Sequence, residues 1–337
     1  MKKSFRWLLP ILAVALIIAV PCFSLFAENA EYAKLDDASQ ISFDTANNAA
    51  LQTGGSITLL QGESGKFHYE KENGYYILVS YTGEDKKVTI PATFEGLPVT
   101  EIAACAFAGN AAIEEVVIPK SVTTIGVDAF KNCTSLKSAT MEKGVSVIAS
   151  RAFENTALTS VVIPDSVVAI SHGAFKGCNN IESITLPFVG ANLSDSNNYF
   201  GYIFGAISYV SNVDYVPASL NTVILSDACI DVPAYSFYGC ESITSVTFGR
   251  MVESIGSSAF QSCTGLKNIY IPNTLTNIPA KAFFYNSPFI GCEGLTIYTE
   301  SPYVSSFGTY WCNITETERA IVKSGVSYAN YLKAIAD

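Results

Sequence analysis

The chain has 337 residues, of which 49% are apolar and only 15% charged, against about 25% charged in an average soluble domain. Its 30 acidic and 20 basic residues leave a net charge of −10, and without the three basic side chains of the first 27 residues the balance is 17 basic against 30 acidic. That acidic excess argues against nucleic acid or an anionic membrane surface as a partner, since both select clustered Lys and Arg, and two His make a rich metal centre improbable.

At the amino terminus, Lys2, Lys3 and Arg6 precede an apolar run from Trp7 to Phe26 that Pro10 and Pro21 interrupt. This is the layout of a secretory signal peptide, with cleavage expected after Ala27. A retained signal-anchor helix is the alternative, because the run approaches spanning length. Residues 28–66 are polar, rich in Ala, Ser, Asn and Gly and without sustained periodicity, and read as a flexible leader. No second apolar stretch of spanning length follows. The mature protein is therefore expected to be exported, or held at the cell surface, with no membrane contact once the signal is removed.

From residue 67 to about residue 300 the chain is dominated by a repeat. Ala-Phe recurs at Ala106-Phe107, Ala129-Phe130, Ala152-Phe153, Ala174-Phe175, Ala259-Phe260 and Ala282-Phe283, with Ser236-Phe237 in the same slot. The Phe spacings are 23, 23, 22, 62, 23 and 23, so one repeat carries an insertion. Residues 113–136 read IEEVVIPKSVTTIGVDAFKNCTSL and residues 158–181 read LTSVVIPDSVVAISHGAFKGCNNI. Each unit opens on an L-x-x-V-x-I stretch whose period-2 alternation marks a strand. Pro119, Pro164 and Pro272 end that strand. A second short apolar stretch follows, with Gly126 and Gly256 where the chain is expected to turn. The Phe of Ala-Phe then enters the coil. One unit cannot bury that ring alone, but stacked units can, which predicts a solenoid of about eight coils built from short strands and turns.

The frame I-P-x-S-V-T-x-I-G-x-x-A-F-x-x-C-x-x-L, as in Ile118 to Leu136, resembles the BspA-like leucine-rich repeat family of bacterial surface and secreted proteins. The resemblance covers about residues 67–300. Residues 67–91 are similar to that family's opening β-hairpin, and residues 301–337 would then form a C-terminal cap and tail. The resemblance implies a repeat solenoid of the leucine-rich class and an exported, non-enzymatic binding protein. Its partner would be another extracellular protein, such as a host matrix or cell-surface protein. The repeat brings no transferable active site.

The chemistry-bearing residues fit that picture. Cys133, Cys178, Cys240 and Cys263 each lie three residues after the repeat Phe, one recurring internal slot that Asn110 and Thr156 fill elsewhere. A small buried thiol suits it. Cys240 and Cys263, in adjacent repeats, could approach each other, and Cys105, Cys229, Cys292 and Cys312 lie outside that register, with a Cys292–Cys312 pairing a candidate bridge of the terminal cap. Neither C-x-x-C nor G-x-S-x-G occurs, and the carboxylates form no recurrent facing pair. No catalytic residue, cofactor or metal site is expected. An enzyme would need a catalytic pair hidden in the insertion.

Two surfaces are candidates for binding. The insertion, residues 188–216, holds Phe188, Tyr199, Phe200, Tyr202, Phe204, Tyr209 and Tyr215. It reads either as a recognition loop, with Tyr199, Tyr202 and Tyr209 as contacts, or as a structural variant of the repeat in which Phe204 replaces the usual Phe. The second surface is the outward row of the strand face, where small hydroxyl residues such as Thr140, Thr185 and Thr247 dominate and Tyr270 is the large anchor. Past Tyr298 the frame decays. Phe307, Tyr310 and Trp311 are candidate caps of the open end, and Tyr328, Tyr331, Leu332 and Ile335 have helical spacing. The expected function is extracellular protein–protein interaction or adhesion by a monomer; the alternative is a spacer of the cell envelope that binds nothing.

Overall fold

The computed structural model describes residues 60–61, 66–192, 197–275, 287–300, 312–315 and 318–336. The signal segment, nearly all of the leader, Phe283 and the candidate caps Phe307, Tyr310 and Trp311 lie outside them. The chain winds as a β-solenoid of about ten turns at roughly 23-residue spacing. The antiparallel hairpin Phe67–Glu72 and Tyr75–Tyr81 opens it.

Among the described residues, ten parallel strands, one per coil, form the strand face. Lys87–Thr89, Glu115–Ile118 and Ser138–Met141 make a three-stranded sheet. Ser160–Val162, Ser183–Leu186, Thr222–Leu225, Ser245–Phe248, Asn268–Ile271, Thr296–Thr299 and Ile321–Ser324 make a seven-stranded one. Thr159 N–H donates to Lys137 O across the junction. The count exceeds eight because Lys87–Thr89, inside the opening segment, and Ile321–Ser324, past the decay of the repeat, each supply a rung. The register is in phase: Ile184, Val223, Val246, Ile269 and Ile297 pair in succession and all are buried.

A second row of two-residue strands backs the first, with Thr124–Ile125, Val147–Ile148 and Ala169–Ile170 before the insertion and Asp231–Val232 and Ser254–Ile255 after it. The glycines after this row serve close approach rather than turning. A Cβ on Gly126 would stand 2.7 Å from Ile102 O, and one on Gly256 2.2 Å from Ala234 N, while neither has a positive φ.

The turn does lie in the Ala-Phe segment, where left-handed residues flank the ring. Asp128, Arg151, Tyr235 and Ser258 sit two residues before a Phe with φ of 55–59°, and Asn132, Asn155 and Ser262 two residues after with φ of 58–63°. Such a backbone is costly for residues with a Cβ. In exchange it aims alternate N–H groups along the solenoid axis: Asp128, Phe130 and Asn132 donate to Ser150, Ala152 and Glu154 of the next coil. The rings then stack. Phe107–Phe130, Phe130–Phe153 and Phe153–Phe175 have centroids 4.7, 5.1 and 5.4 Å apart, the last pair within 1° of parallel. Each such ring contributes about 1.5–3 kcal/mol by burial.

Two expectations at the C-terminal end change. On the C-terminal side the ring stacked on Phe260 is Phe289, at 5.9 Å, while Ala282-Phe283 lies outside the described residues. Cys292, three residues after Phe289, therefore belongs to the recurring slot: its thiol donates to Phe260 O at 3.1 Å. Cys292 and Cys312 are both free thiols, so they are not bridged.

Candidate functional site

The recurring thiol has a reason beyond size. Cys133, Cys178 and Cys263 donate to the Phe carbonyl of the preceding coil, Phe107, Phe153 and Phe237, at 3.0–3.1 Å. Burial pushes Cys133 and Cys229 up to about 12 and Cys178 to about 11. Thiols so rarely ionised are poor nucleophiles and poor ligands. Cys105 is disulfide-bonded. No group of three or more His, Cys, Asp or Glu is placed to hold a metal ion among the described residues.

The Ala-Phe turns before the insertion carry an ionic ridge. Arg151 grips Asp128 with both Nε and Nη2, at 2.8 and 3.1 Å. The Lys131 ammonium lies 2.9 Å from Glu154 Oε2, and Lys176 reaches Glu154 at 3.8 Å. Asp128, Lys131 and Glu154 are buried. These charges are consumed by one another across three coils, so the ridge is a staple between turns rather than an open charged site.

The insertion continues this edge and changes its chemistry. It folds as two 3-10 turns, Phe200–Phe204 and Tyr209–Ser211, and a single helical turn α1, Asn212–Tyr215. The ring of this coil is divided between two residues. Phe175 N–H donates to Ile203 O, which puts Phe204 in the slot seen from below. Phe200 N–H donates to Ser236 O, and its ring packs on Phe237 at 4.8 Å. Phe204 alone therefore does not replace the plug; it meets Phe200 edge-on at 5.4 Å.

Asn212, fully buried, locks the arrangement. Its Oδ1 accepts from Gly201 N–H at 2.9 Å, and its Nδ2 donates to Ser236 O and Tyr238 O at 3.1 Å. A Cβ on Gly201 would lie 2.6 Å from that Oδ1, so only glycine fits there. His172 Nε2 donates to Ala206 O at 3.2 Å, and Tyr199 donates to the same carbonyl at 3.3 Å. Single-sequence reading missed Asn212, because an Asn in a polar stretch carries no pattern that reveals three buried partners.

The seven residues singled out in the sequence are not brought to one place. Tyr199 and Tyr202 are buried in the insertion, 8% and 7% exposed, with rings edge-on at 5.9 Å and Tyr202 also against His172. Tyr209 is 38% exposed, stacked on Tyr235 at 4.7 Å and edge-on to Tyr238 at 5.6 Å. Thr140 is open on the strand face and Thr185 half-buried. Thr247 and Tyr270 are buried, since the C-terminal helix α2, Tyr328–Ala336, lies over that end of the face.

What the insertion does present is a run of large apolar side chains. Ile207, Tyr209, Val210, Val213 and Tyr215 are exposed, as is Tyr235 beneath Tyr209. Val213 lies against Gly239, and Tyr215 and Lys176 both lie against Gly205, so the run adjoins the Tyr235–Gly239 turn on one side and the ionic ridge on the other. Contiguous exposed apolar surface of this kind marks interaction sites, and tyrosines supply contact area at low entropic cost.

Comparison with known proteins identifies the repeat by family. The model of the BspA type leucine rich repeat region matches residues 100–210 and 208–326, in six copies. No curated protein matches the chain. Among solved structures it is similar to a leucine-rich repeat protein of T. pallidum, at 24% identity over 71% of this chain and 81% of that one, with a TM-score of 0.30. It is also similar to a leucine-rich repeat protein from Bacteroides capillosus, at 29% identity over 36% of this chain and 93% of that one, with a TM-score of 0.33. A third is the pneumococcal vaccine antigen PcpA, at 16% identity over 83% of this chain and 95% of that one, with a TM-score of 0.33.

Proposed function

This chain belongs to the BspA type leucine-rich repeat family, and from that premise we propose that it is an exported protein that binds another extracellular protein through the apolar patch of its insertion. The observation that carries the reading is the concentration of exposed Ile207, Tyr209, Val210, Val213 and Tyr215 in nine residues, with Tyr209 stacked on exposed Tyr235. A solenoid that only spaced other elements would have no use for so much exposed apolar surface on one coil. The basic-then-apolar amino terminus and the small residue Ala27 support export; N-terminal sequencing of the mature protein should begin at Glu28. No helix among the described residues is long and apolar enough to cross a membrane.

The partner class is tested on a panel of immobilised purified matrix and cell-surface proteins. Saturable binding should be lost in Tyr209→Ala and Val213→Ser, each on the exposed side of the insertion. Binding that survives both substitutions would remove the patch from the account. Silence across the panel would favour the spacer reading.

A further inference from the structure

The strand face holds a second site, away from the insertion. At its C-terminal end α2 sits over the strands Ser245–Phe248, Asn268–Ile271 and Thr296–Thr299. Tyr331 is fully buried, with its ring 5.2 Å from both Tyr270 and Tyr298 and its hydroxyl 3.4 Å from Ser245 Oγ. Tyr328, one helical turn earlier, packs on Tyr270 at 5.1 Å. With Val326 beside them, Tyr270, Tyr298 and Tyr331 form a cluster separate from the continuous core of the solenoid.

Beyond that seat, among the described residues, Tyr328 N–H donates to Glu300 Oε1 at 3.4 Å. Leu332, Lys333 and Ala334 are exposed. A nine-residue helix does not hold its form in water unsupported, so its seat keeps it helical. Its connection to the last strand runs through Gly325, at φ 71° with open space around it. Beside the helix a groove of about 390 Å³ continues the seat, with Ile224, Thr247, Phe248 and Tyr270 facing Tyr328.

We propose that this end of the strand face is a docking site for an amphipathic helix of a partner protein that presents two tyrosines one turn apart, and that α2 is a built-in occupant which such a helix displaces. The chemistry of the partner is read from the occupant on the page: Tyr328 and Tyr331, at i and i+3, meet the two large anchors of a face whose other outward positions are mostly small hydroxyl residues. The seat is covered by a short, tethered, mostly exposed segment rather than by the core. A tethered helix acts at an effective concentration near millimolar, so the site answers only to a segment that fits better or is supplied by a larger interface.

The probe is a fluorescent peptide of residues 325–337, and the receptor is the full chain carrying Tyr331→Ala, which vacates the seat. Saturable binding by anisotropy is expected, with a Tyr331→Ala peptide about 30-fold weaker, the loss typical of a central aromatic anchor. The wild-type chain, its seat filled in cis, should bind the peptide at least about tenfold more weakly, and Leu332→Ala should behave as wild type. Equal binding of both peptides overturns the proposal, as does no binding to a Tyr331→Ala chain that melts like wild type. A measurement free of chain variants is hydrogen exchange in the wild-type chain. Excess peptide should speed exchange of the α2 amides, and the Tyr331→Ala peptide should not. Wild-type dimers that form by exchanging α2 would overturn the partner assignment in favour of a second copy of this chain.

Discussion

In the coils of Phe107, Phe130, Phe153 and Phe175, one ring fills each turn, and the left-handed flanking positions include Asp128, whose amide donates to the next coil, and Arg151, whose guanidinium donates back to Asp128 of the preceding coil. In segment 188–216 two rings, Phe200 and Phe204, share that duty, and the extra chain turns its apolar side chains outward. The axial contacts persist through both regions: Phe175 still donates forward, to Ile203, and Phe200 to Ser236. The contrast shows that a coil is defined by its bonds to neighbours rather than by its residue count. Once those bonds are made, additional chain is free to build surface, and here it builds the apolar patch.

That contrast can be broken at graded cost. Phe175→Ala, at the boundary, should lower stability by about 3–5 kcal/mol in denaturant unfolding, because a fully buried stacked ring leaves a cavity. A wild-type midpoint would contradict the stacked-ring account. Alkali attacks the regular coils through their thiols. Cys133, Cys178 and Cys229 are held at about 11–12 in the folded chain against an ordinary 9.0, so the unfolded state releases protons first as pH rises. Their stabilisation is complete below pH 9 and is lost above it, by about 1 kcal/mol for each thiol near pH 10. Melting temperature should therefore fall above pH 9, and Cys133→Ala should flatten the fall.

Within the insertion, Asn212→Ala should cost about 2–3 kcal/mol, since it strands the Gly201 amide and the Ser236 and Tyr238 carbonyls. The insertion should loosen first, seen as faster hydrogen exchange at residues 200–216 than around Phe130. Tyr209→Ala should change stability by no more than about 0.5 kcal/mol, as expected for an exposed side chain, and so separates the patch's role in binding from any role in folding. A large loss of stability there would make the patch part of the core's support.

Much of the solenoid is legible in single letters because a repeat writes each packing contact many times. Phe130, Cys133 and Leu136 announce their burial by recurring at fixed offsets, and Pro119 by ending a strand. The legibility fails where the offset slips. The Phe260-to-Phe289 step is six residues longer than the repeat, so a search at constant spacing does not find the Phe289 that stacks on Phe260. It fails again for single contacts: nothing in the letters of Tyr199 and Tyr202 tells them from Tyr209, yet the first two are interior and the third is at the surface.

The repeat, the strand and turn of each coil and the family are all written in the amino-acid letters, since periodic burial leaves a periodic pattern. Which tyrosines of the insertion face out, that Asn212 ties three backbone groups together, and that α2 lies on Tyr270 and Tyr298 emerge from the folded chain alone. Those contacts join residues tens of positions apart, each made once, and a contact made once leaves no period to read.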